Sequence, residues 1–372
     1  MRRFITIFAL LLSVGVATAA EADYNYISQF EGGVAVAHHN NGSYYLLNRS
    51  LTPLHSEGFD HIADFVEGCW VTSARRGESF GFIDNRGELI GQMDYEMIRL
   101  VTDGLFECVR GGKTFLASMN GERIDDQSYD HLQYILSGRY FLAEQQGQWM
   151  TLASDGSRLS SGDFDYLLAL KDGQLVALCG KNWQRISTSG ELLGQIDLTS
   201  RVKYNKWGLG VLHGVRKALI VDEQMVIIED RFEDVLELSD RGLFRFRIAS
   251  QMGYIDGRAQ VKVEAEECVA NEYSDGLATT YYTAKELYKV YNIKGREAFD
   301  LSDYAEASNF KNNCAIVRPH GSELYGIIDA HGDLICAAIY ESITTDAKSH
   351  RRYVAVLNGE RITIDREGNR KE

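Results

Sequence analysis

The chain has 372 residues, with 53 Asp and Glu against 39 Lys and Arg, for a formal net charge of −14. Hydrophobic residues make up 45% and aromatic residues 11%, and no low-complexity tract occurs, so the composition is that of an ordered chain with a sizeable core. An acidic balance of this size argues against nucleic acid and anionic membrane as partners and leaves cationic partners open.

In chain order, the first predicted element is a secretory signal peptide over residues 1–19. Arg2 and Arg3 precede an apolar run from Phe4 to Ala17, and Ala17-Thr18-Ala19 supplies a small-x-small cleavage site. The apolar run is too short for a comfortable membrane span. Cleavage after Ala19 removes two bases and no acid, which leaves 37 bases against 53 acids and a mature charge of −16. The first cysteine is Cys69, so no lipid attachment is expected at the cleavage site. Nothing later in the chain is long and apolar enough to form a membrane span. The expected location is periplasmic or secreted.

From Tyr24 onward one motif recurs. An aromatic residue, usually followed by an acid, has an apolar residue three places later, as in Phe59-Asp60-His61-Ile62, Tyr95-Glu96-Met97-Ile98, Tyr129-Asp130-His131-Leu132, Phe164-Asp165-Tyr166-Leu167, Phe232-Glu233-Asp234-Val235 and Tyr340-Glu341-Ser342-Ile343. The steps cluster near 35 residues or its multiples, the mark of a tandem array whose units are too small to bury their apolar faces alone. A second marker, a Gly or turn residue followed by apolar alternation, keeps the same phase at Gly33, Gly68, Gly104, Gly138, Gly173, Gly208, Gly242 and Gly276 and at Asn313. A third is a hairpin signal, clearest at Gly81-Phe82-Ile83-Asp84-Asn85-Arg86-Gly87, Gly326 to Gly332 and Ile362 to Gly368, with degenerate copies ending at Gly121, Gly156, Gly190 and Gly295. Period-two alternation broken by Gly, Asn and Asp predicts three or four short antiparallel strands per unit. Residues 20–372 thus read as a single array of about ten repeats, with no segment left over for a separate catalytic domain, and the polar tail from Arg366 is expected to fray.

An aromatic–acid pair, then a Gly-Leu-x-x-Val-like strand, then Gly-aromatic-Ile-Asp-x-x-Gly resembles the bacterial WG β-repeat over essentially all of residues 24–372. The chain departs from that family in having no intact Trp-Gly at the expected phase. Gly81, Gly253 and Gly326 follow Phe80, Met252 and Tyr325, while Trp149 and Trp183 precede Met150 and Gln184. The literal Trp207-Gly208 lies in another phase, and the proline that often precedes the aromatic–acid pair is missing. The resemblance implies a divergent exported member. The predicted fold is all-β, an open superhelical array of antiparallel repeats; because ten units exceed the usual four to eight blades, a closed or double β-propeller is the alternative.

The junction acids Asp60, Glu96, Asp130, Asp165, Glu233 and Glu341 would stack into a row that reads either as a groove for a basic peptide or cations, or as carboxylates accepting backbone hydrogen bonds at turns. The hairpin acids Asp84, Asp256, Asp329 and Asp365 each stand alone before a Gly-containing turn, which fits an Asx turn better than a calcium loop. Cys69, Cys108, Cys179, Cys268, Cys314 and Cys336 form no Cys-x-x-Cys. Several read as buried small hydrophobes, and one or two bridges at most are expected, Cys314 with Cys336 being a pairing across neighbouring strands. His38-His39 is the densest histidine cluster, but adjacent strand residues face opposite sides. His61 and His131 hold equivalent places and read as structural or solvent-facing. Tyr44-Tyr45 and Tyr281-Tyr282 combine core packing with a face suited to peptide or glycan contact. No His-Glu-x-x-His, nucleophile elbow or phosphate-cradling loop occurs.

No catalytic, cofactor-binding or metal-binding residue is therefore assigned, and no cofactor is implied. The expected function is that of a non-enzymatic binding or scaffold protein of the bacterial envelope, contacting protein, peptide or glycan. The alternatives are an envelope enzyme with a site between repeats and a purely structural, self-associating repeat protein. The irregular repeats around residues 198, 224 and 268 are the expected place for a specific surface.

Overall fold

Wherever β-branched, aromatic and aliphatic residues alternate between turn signals, the chain is extended, and no α-helix forms among the described residues. The computed structural model describes residues 23–102, 104–124, 126–135, 139–160, 164–346 and 352–371. The expected signal peptide and the Gly138 marker lie outside them. The strands make ten small antiparallel sheets, five of three strands and five of four, each a simple meander. The predicted all-β tandem architecture of about ten units is present.

The second sheet shows the full plan, with strands His61–Ile62, Val71–Arg76, Ser79–Asp84 and Leu89–Tyr95 side by side in that order. Three-stranded sheets mostly reduce the fourth strand to bridges, such as Ala117 with Arg123 and Thr114 with Tyr129. In the sixth sheet (Leu209–Gly214, Lys217–Asp222, Ile227–Phe232) the first strand is missing and the 3-10 turn Thr199–Arg201 precedes it, which accounts for the irregular repeat near residue 198. The chain groups into two compact units, Met1–Leu167 with Ile186–Glu191, and Leu168–Arg185 with Leu192–Glu372. Both units follow the same repeat plan.

The aromatic–acid motif turns out to be the junction between sheets rather than the start of one. Tyr95 closes a fourth strand opposite Phe80, while the N–H of Glu96 donates to the Val109 carbonyl of the next sheet at 2.8 Å. Phe59 faces Tyr44 and Asp60 donates to Arg75; Tyr340 faces Tyr325 and Glu341 donates to Val356. The aromatic residue thus anchors backward and the acid forward. The position before Gly81, Gly253 and Gly326 is the one that pairs with, or lies next to, this closing strand. A Cβ on those glycines would come within 2.7 Å of the Met93 side chain, 2.5 Å of the Val263 carbonyl and 2.6 Å of the Cys336 carbonyl, so the strand crosses tightly there and the register shifts.

The core is strung along the array. One cluster joins Val36 and Leu46 of the first sheet to Ala74 and Ile83 of the second; the next joins Val71 and Phe82 to Phe106 and Phe115; another joins Leu105 and Leu116 to Phe141 and Leu152. In the second unit the same succession runs from Val211 and Phe246 through Tyr254 and Tyr282 to Cys314 and Ile364. Each cluster draws on two consecutive sheets, so no sheet has a complete core of its own. The six cysteines are joined by no disulfide, and Cys314 and Cys336 flank the strand Tyr325–Asp329 instead of pairing on adjacent strands.

The turn between third and fourth strands repeats one construction. Asp84 Oδ1 accepts from the N–H groups of Arg86 and Glu88 at 2.9 Å each, and Asp256, Asp329 and Asp365 do the same two and four residues on. Three residues after the acceptor the backbone is left-handed, at Gly87 (φ +83°), Gly295 (φ +71°) and Gly368 (φ +84°). That residue also presses on the preceding repeat: a Cβ at Gly295 would lie 2.3 Å from the Lys262 carbonyl, and one at Gly87 would lie 2.8 Å from Leu54. Leu51, Met225 and Ala259 take the same left-handed position. The tail expected to fray is held by this device, for Arg370 bridges Ile364, Lys371 N–H donates to Thr363, and the Lys371 ammonium meets Asp365 at 2.7 Å. Burial opposes ionisation of Asp365, yet these donors hold its carboxyl at about 2.

Gly295→Ala should cost more than about 2 kcal/mol, because left-handed strain adds to a backbone collision. Ala259→Gly should change stability by less than about 1 kcal/mol, since relief of strain and loss of a partly buried methyl nearly cancel. Denaturant unfolding of the two variants beside the parent chain checks both values.

Candidate binding clefts

The first repeat gathers an unusual number of rings. Tyr24 begins the strand Tyr24–Ile27, His39 ends Val34–His39, Tyr45 lies in Tyr44–Asn48, and Pro53 to Ser56 follow the next turn; together they line an open cleft of about 500 Å³. The His39 ring meets Tyr24 edge-on at 5.2 Å and Tyr45 at 5.8 Å, and Tyr45 stacks on His55 with rings 10° from parallel. His55 and Phe59 meet edge to face with centroids 5.0 Å apart, and the Arg76 guanidinium lies 4.5 Å from the centre of the Phe59 ring.

Hydrogen bonds fix the chemistry of these rings. His55 Nε2 accepts from Leu46 N–H at 3.1 Å, so Nδ1 carries the proton it donates to the Glu57 carbonyl at 2.7 Å. Burial lowers the basicity of this imidazole, the Glu57 carbonyl partly opposes that, and the Arg76 charge adds to it. His39 Nδ1 accepts from Asn41 N–H at 3.0 Å, which leaves Nε2–H as a donor. Burial, then Asp23 and Tyr45, raise the Tyr24 phenol, which stays protonated. The cleft offers aromatic faces and neutral donors.

The residues singled out from sequence separate clearly. Four of the six junction acids cap the turn between second and third strands: Asp60 accepts from Gly77 N–H at 2.5 Å, Glu96 from Gly112 at 3.0 Å, Asp130 from Gln146 at 2.8 Å and Glu341 from Gly359 at 2.9 Å. Glu233 faces Arg247 at 3.8 Å, and Asp165 is exposed at its junction. His38 stacks on Tyr44, and His61 packs against Tyr44 at a tilt of 50°, on the side of the sheet opposite His39, while His131 lies parallel to Trp149. Tyr281 packs on Tyr288, whereas Tyr282 is buried with its hydroxyl 2.5 Å from that of Tyr291. Of the paired tyrosines, Tyr45 lines the first-repeat cleft. What sequence reading missed was the convergence of His55 with Tyr45, whose signal is the unusual density of His and Tyr between residues 24 and 61.

A second cleft, of about 590 Å³, lies at the third and fourth repeats, between Gly104, Met119, Ile124, Tyr134, Arg139 and Asp155. Neither cleft falls in the irregular repeats near residues 198, 224 and 268. No group of three His, Cys, Asp or Glu side chains able to hold a metal occurs among the described residues, and no helix there is long and apolar enough to cross a membrane.

No protein-family model and no curated protein matches the sequence. Among solved structures, BamB from Moraxella catarrhalis is 12% identical, covers 73% of this chain and 91% of its own, and superposes with a TM-score of 0.25. Hsv2 of Kluyveromyces lactis is 9% identical over 72% of this chain and 93% of its own, with a TM-score of 0.26. PorZ, a bacterial surface component of the type-IX secretion system of Porphyromonas gingivalis, is 13% identical over 92% of this chain and 57% of its own, with a TM-score of 0.23. At such scores the likeness bears no functional weight.

The carboxylates with a clear shift all ionise below their ordinary range, as at Asp130, where Lys113 and the Gln146 N–H donate to the carboxylate. Burial pushes the Cys108 thiol up to about 12 and raises those of Cys268, Cys314 and Cys336, which removes thiolate character.

His55 gives the cleft a pH signature. Its folded value lies below that of the unfolded chain, so the unfolded state binds the extra proton, and stability rises with pH up to about 6.5, where the contribution is complete. The melting temperature of the parent chain should therefore fall as pH falls through that window, and His55→Gln should show a shallower slope. Equal slopes would show that His55 titrates alike in both states.

Proposed function

We propose that this chain is an exported, non-enzymatic binding protein of the bacterial envelope and a divergent WG β-repeat protein, with the aromatic cleft of its first repeat as one ligand seat. The cleft carries the reading: an open surface of about 500 Å³ lined by Tyr24, His39, Tyr45 and His55 holds stacking faces and donors with no proton-transfer pair. Rings of this kind favour sugar faces or aromatic and prolyl side chains. Support for export comes from Arg2, Arg3 and the apolar run ending at Ala17-Thr18-Ala19. Support for the repeat family comes from the junction motif and the Asp-x-x-Gly turn, which hold constant structural places from sheet to sheet. Because each sheet leaves its core to be completed by a neighbour, the array is a rigid base for such a surface.

A photo-crosslinking residue in place of Tyr45, expressed in a bacterial envelope, should capture a discrete partner or glycan, and His39→Ala should reduce that capture by about tenfold. Failure to capture anything, combined with turnover of an envelope substrate by the purified chain, would overturn the reading.

A further inference from the structure

The rings of the first-repeat cleft have a fixed spacing. Tyr24, His39 and Tyr45 lie on the strands Tyr24–Ile27, Val34–His39 and Tyr44–Asn48, which pair side by side in that order. Tyr24 is paired with His39, and Tyr45 is paired with Ala37, two residues before His39, so the three side chains share one face of the sheet. The His39 ring on the middle strand is 5.2 Å from Tyr24 and 5.8 Å from Tyr45. Two strand spacings, about 10 Å, therefore separate the strands that carry the two phenols. Beyond Tyr45, the His55 ring stacks at 5.5 Å, and Pro53 and Ser56 complete the lining.

Hydrogen-bonding capacity in this lining is one-sided. The lone pairs of His39 Nδ1 and His55 Nε2 are taken by the N–H groups of Asn41 and Leu46, and the His55 Nδ1 proton goes to the Glu57 carbonyl. What the side chains keep for a ligand is the His39 Nε2–H and the hydroxyls of Tyr24, Tyr45 and Ser56. No carboxylate, side-chain amide, Lys or Arg is among the described residues that line the cleft. A sugar brings several hydroxyl protons, and each needs an acceptor when it is buried. A strand-forming peptide brings an N–H at every residue and repeats one face about every 7 Å. A polyproline helix brings neither burden: its prolines have no N–H, its carbonyls are all unpaired, and one face recurs every third residue, about 9 Å apart.

We infer that the aromatic cleft seats a proline-rich segment in the polyproline II conformation, lying across the three strands, with prolyl rings three residues apart against Tyr24 and Tyr45. Carbonyls of the segment accept from the Tyr24 hydroxyl and the His39 Nε2–H. The inference rests on the reading of this cleft as a ligand seat and names its occupant. Only Pro53 and Pro319 occur in this chain, so the segment belongs to another protein and not to a second copy. A polyproline segment is already ordered before it binds, which suits an open cleft that covers only part of its ligand.

The test uses the purified chain with a fluorescent oligoproline, a glycine–serine peptide of equal length and a tetrasaccharide of β-linked N-acetylglucosamine. Anisotropy should show binding of the oligoproline alone, little changed by salt because no formal charge lines the seat. Tyr24→Phe keeps the ring without its hydroxyl, and His39→Phe keeps a ring without the Nε2–H. Each should weaken binding about fivefold at an unchanged melting temperature, and Tyr45→Ala should weaken it more than about tenfold. Met119→Ser, at the second cleft, should leave binding intact. Equal binding of the glycine–serine peptide overturns the inference, as does oligoproline binding that neither Tyr24→Phe nor His39→Phe weakens. Binding of the tetrasaccharide in place of the oligoproline also overturns it but keeps the cleft as a ligand seat. Binding of neither, with no capture at Tyr45, sinks both.

Discussion

The structure depends on one backbone position, the left-handed residue three places after the turn acceptor between the third and fourth strands of each repeat. It must be left-handed to close the turn, and it must be small because it presses on the preceding repeat. Those two demands lock repeat to repeat, and they explain the exceptions. Leu51 belongs to the first repeat, whose turn has no described predecessor to press upon. Met225 is kept by other means, for its carbonyl accepts from the Trp183 indole at 3.3 Å and its sulfur from the Tyr204 hydroxyl at 3.2 Å. Once this contact is made, each sheet contributes half of the hydrophobic cluster that its neighbour completes.

The same meander separates chemistry between the two ends of the sheets. At one end, two-residue turns such as Gly111-Gly112 and Gln146-Gly147 have both central residues at positive φ, the primed geometry that matches strand twist. Their outward N–H groups need acceptors, and the junction acids supply them. At the other end the Asx acceptor belongs to the turn itself, so no neighbouring carboxylate is required. Apolar side chains such as Leu89 and Ile124 are then free to remain on the surface there. Polar satisfaction at one end thus permits an apolar edge at the other.

Much of this organisation was legible in the sequence because it rests on local signals. Asp84 and Asp329 before Gly87 and Gly332 declare their turns, and the period follows from repetition of the aromatic residues. The role of the aromatic–acid pair was less visible. Tyr95 and Glu96 are adjacent in sequence but serve different sheets, and sequence order alone does not mark where one sheet ends. The first-repeat cleft was hidden for a related reason: His55 comes from a segment with no strand signature, and its meeting with Tyr45 depends on how that segment folds back across the sheet.

The aromatic cleft and the apolar edge draw on the same structural economy. A repeat whose interior joins two neighbours keeps its remaining rings and short apolar side chains outside, held on stiff strands. In the first repeat both nitrogens of His55 serve the backbone, which fixes that ring as a stacking face. At the third and fourth repeats, Met119 brings an unbranched, adaptable side chain to a cleft whose backbone is set by the positive φ of Gly104. Stiff strands on either side and one unbranched side chain between them leave that wall adaptable while the backbone around it stays fixed.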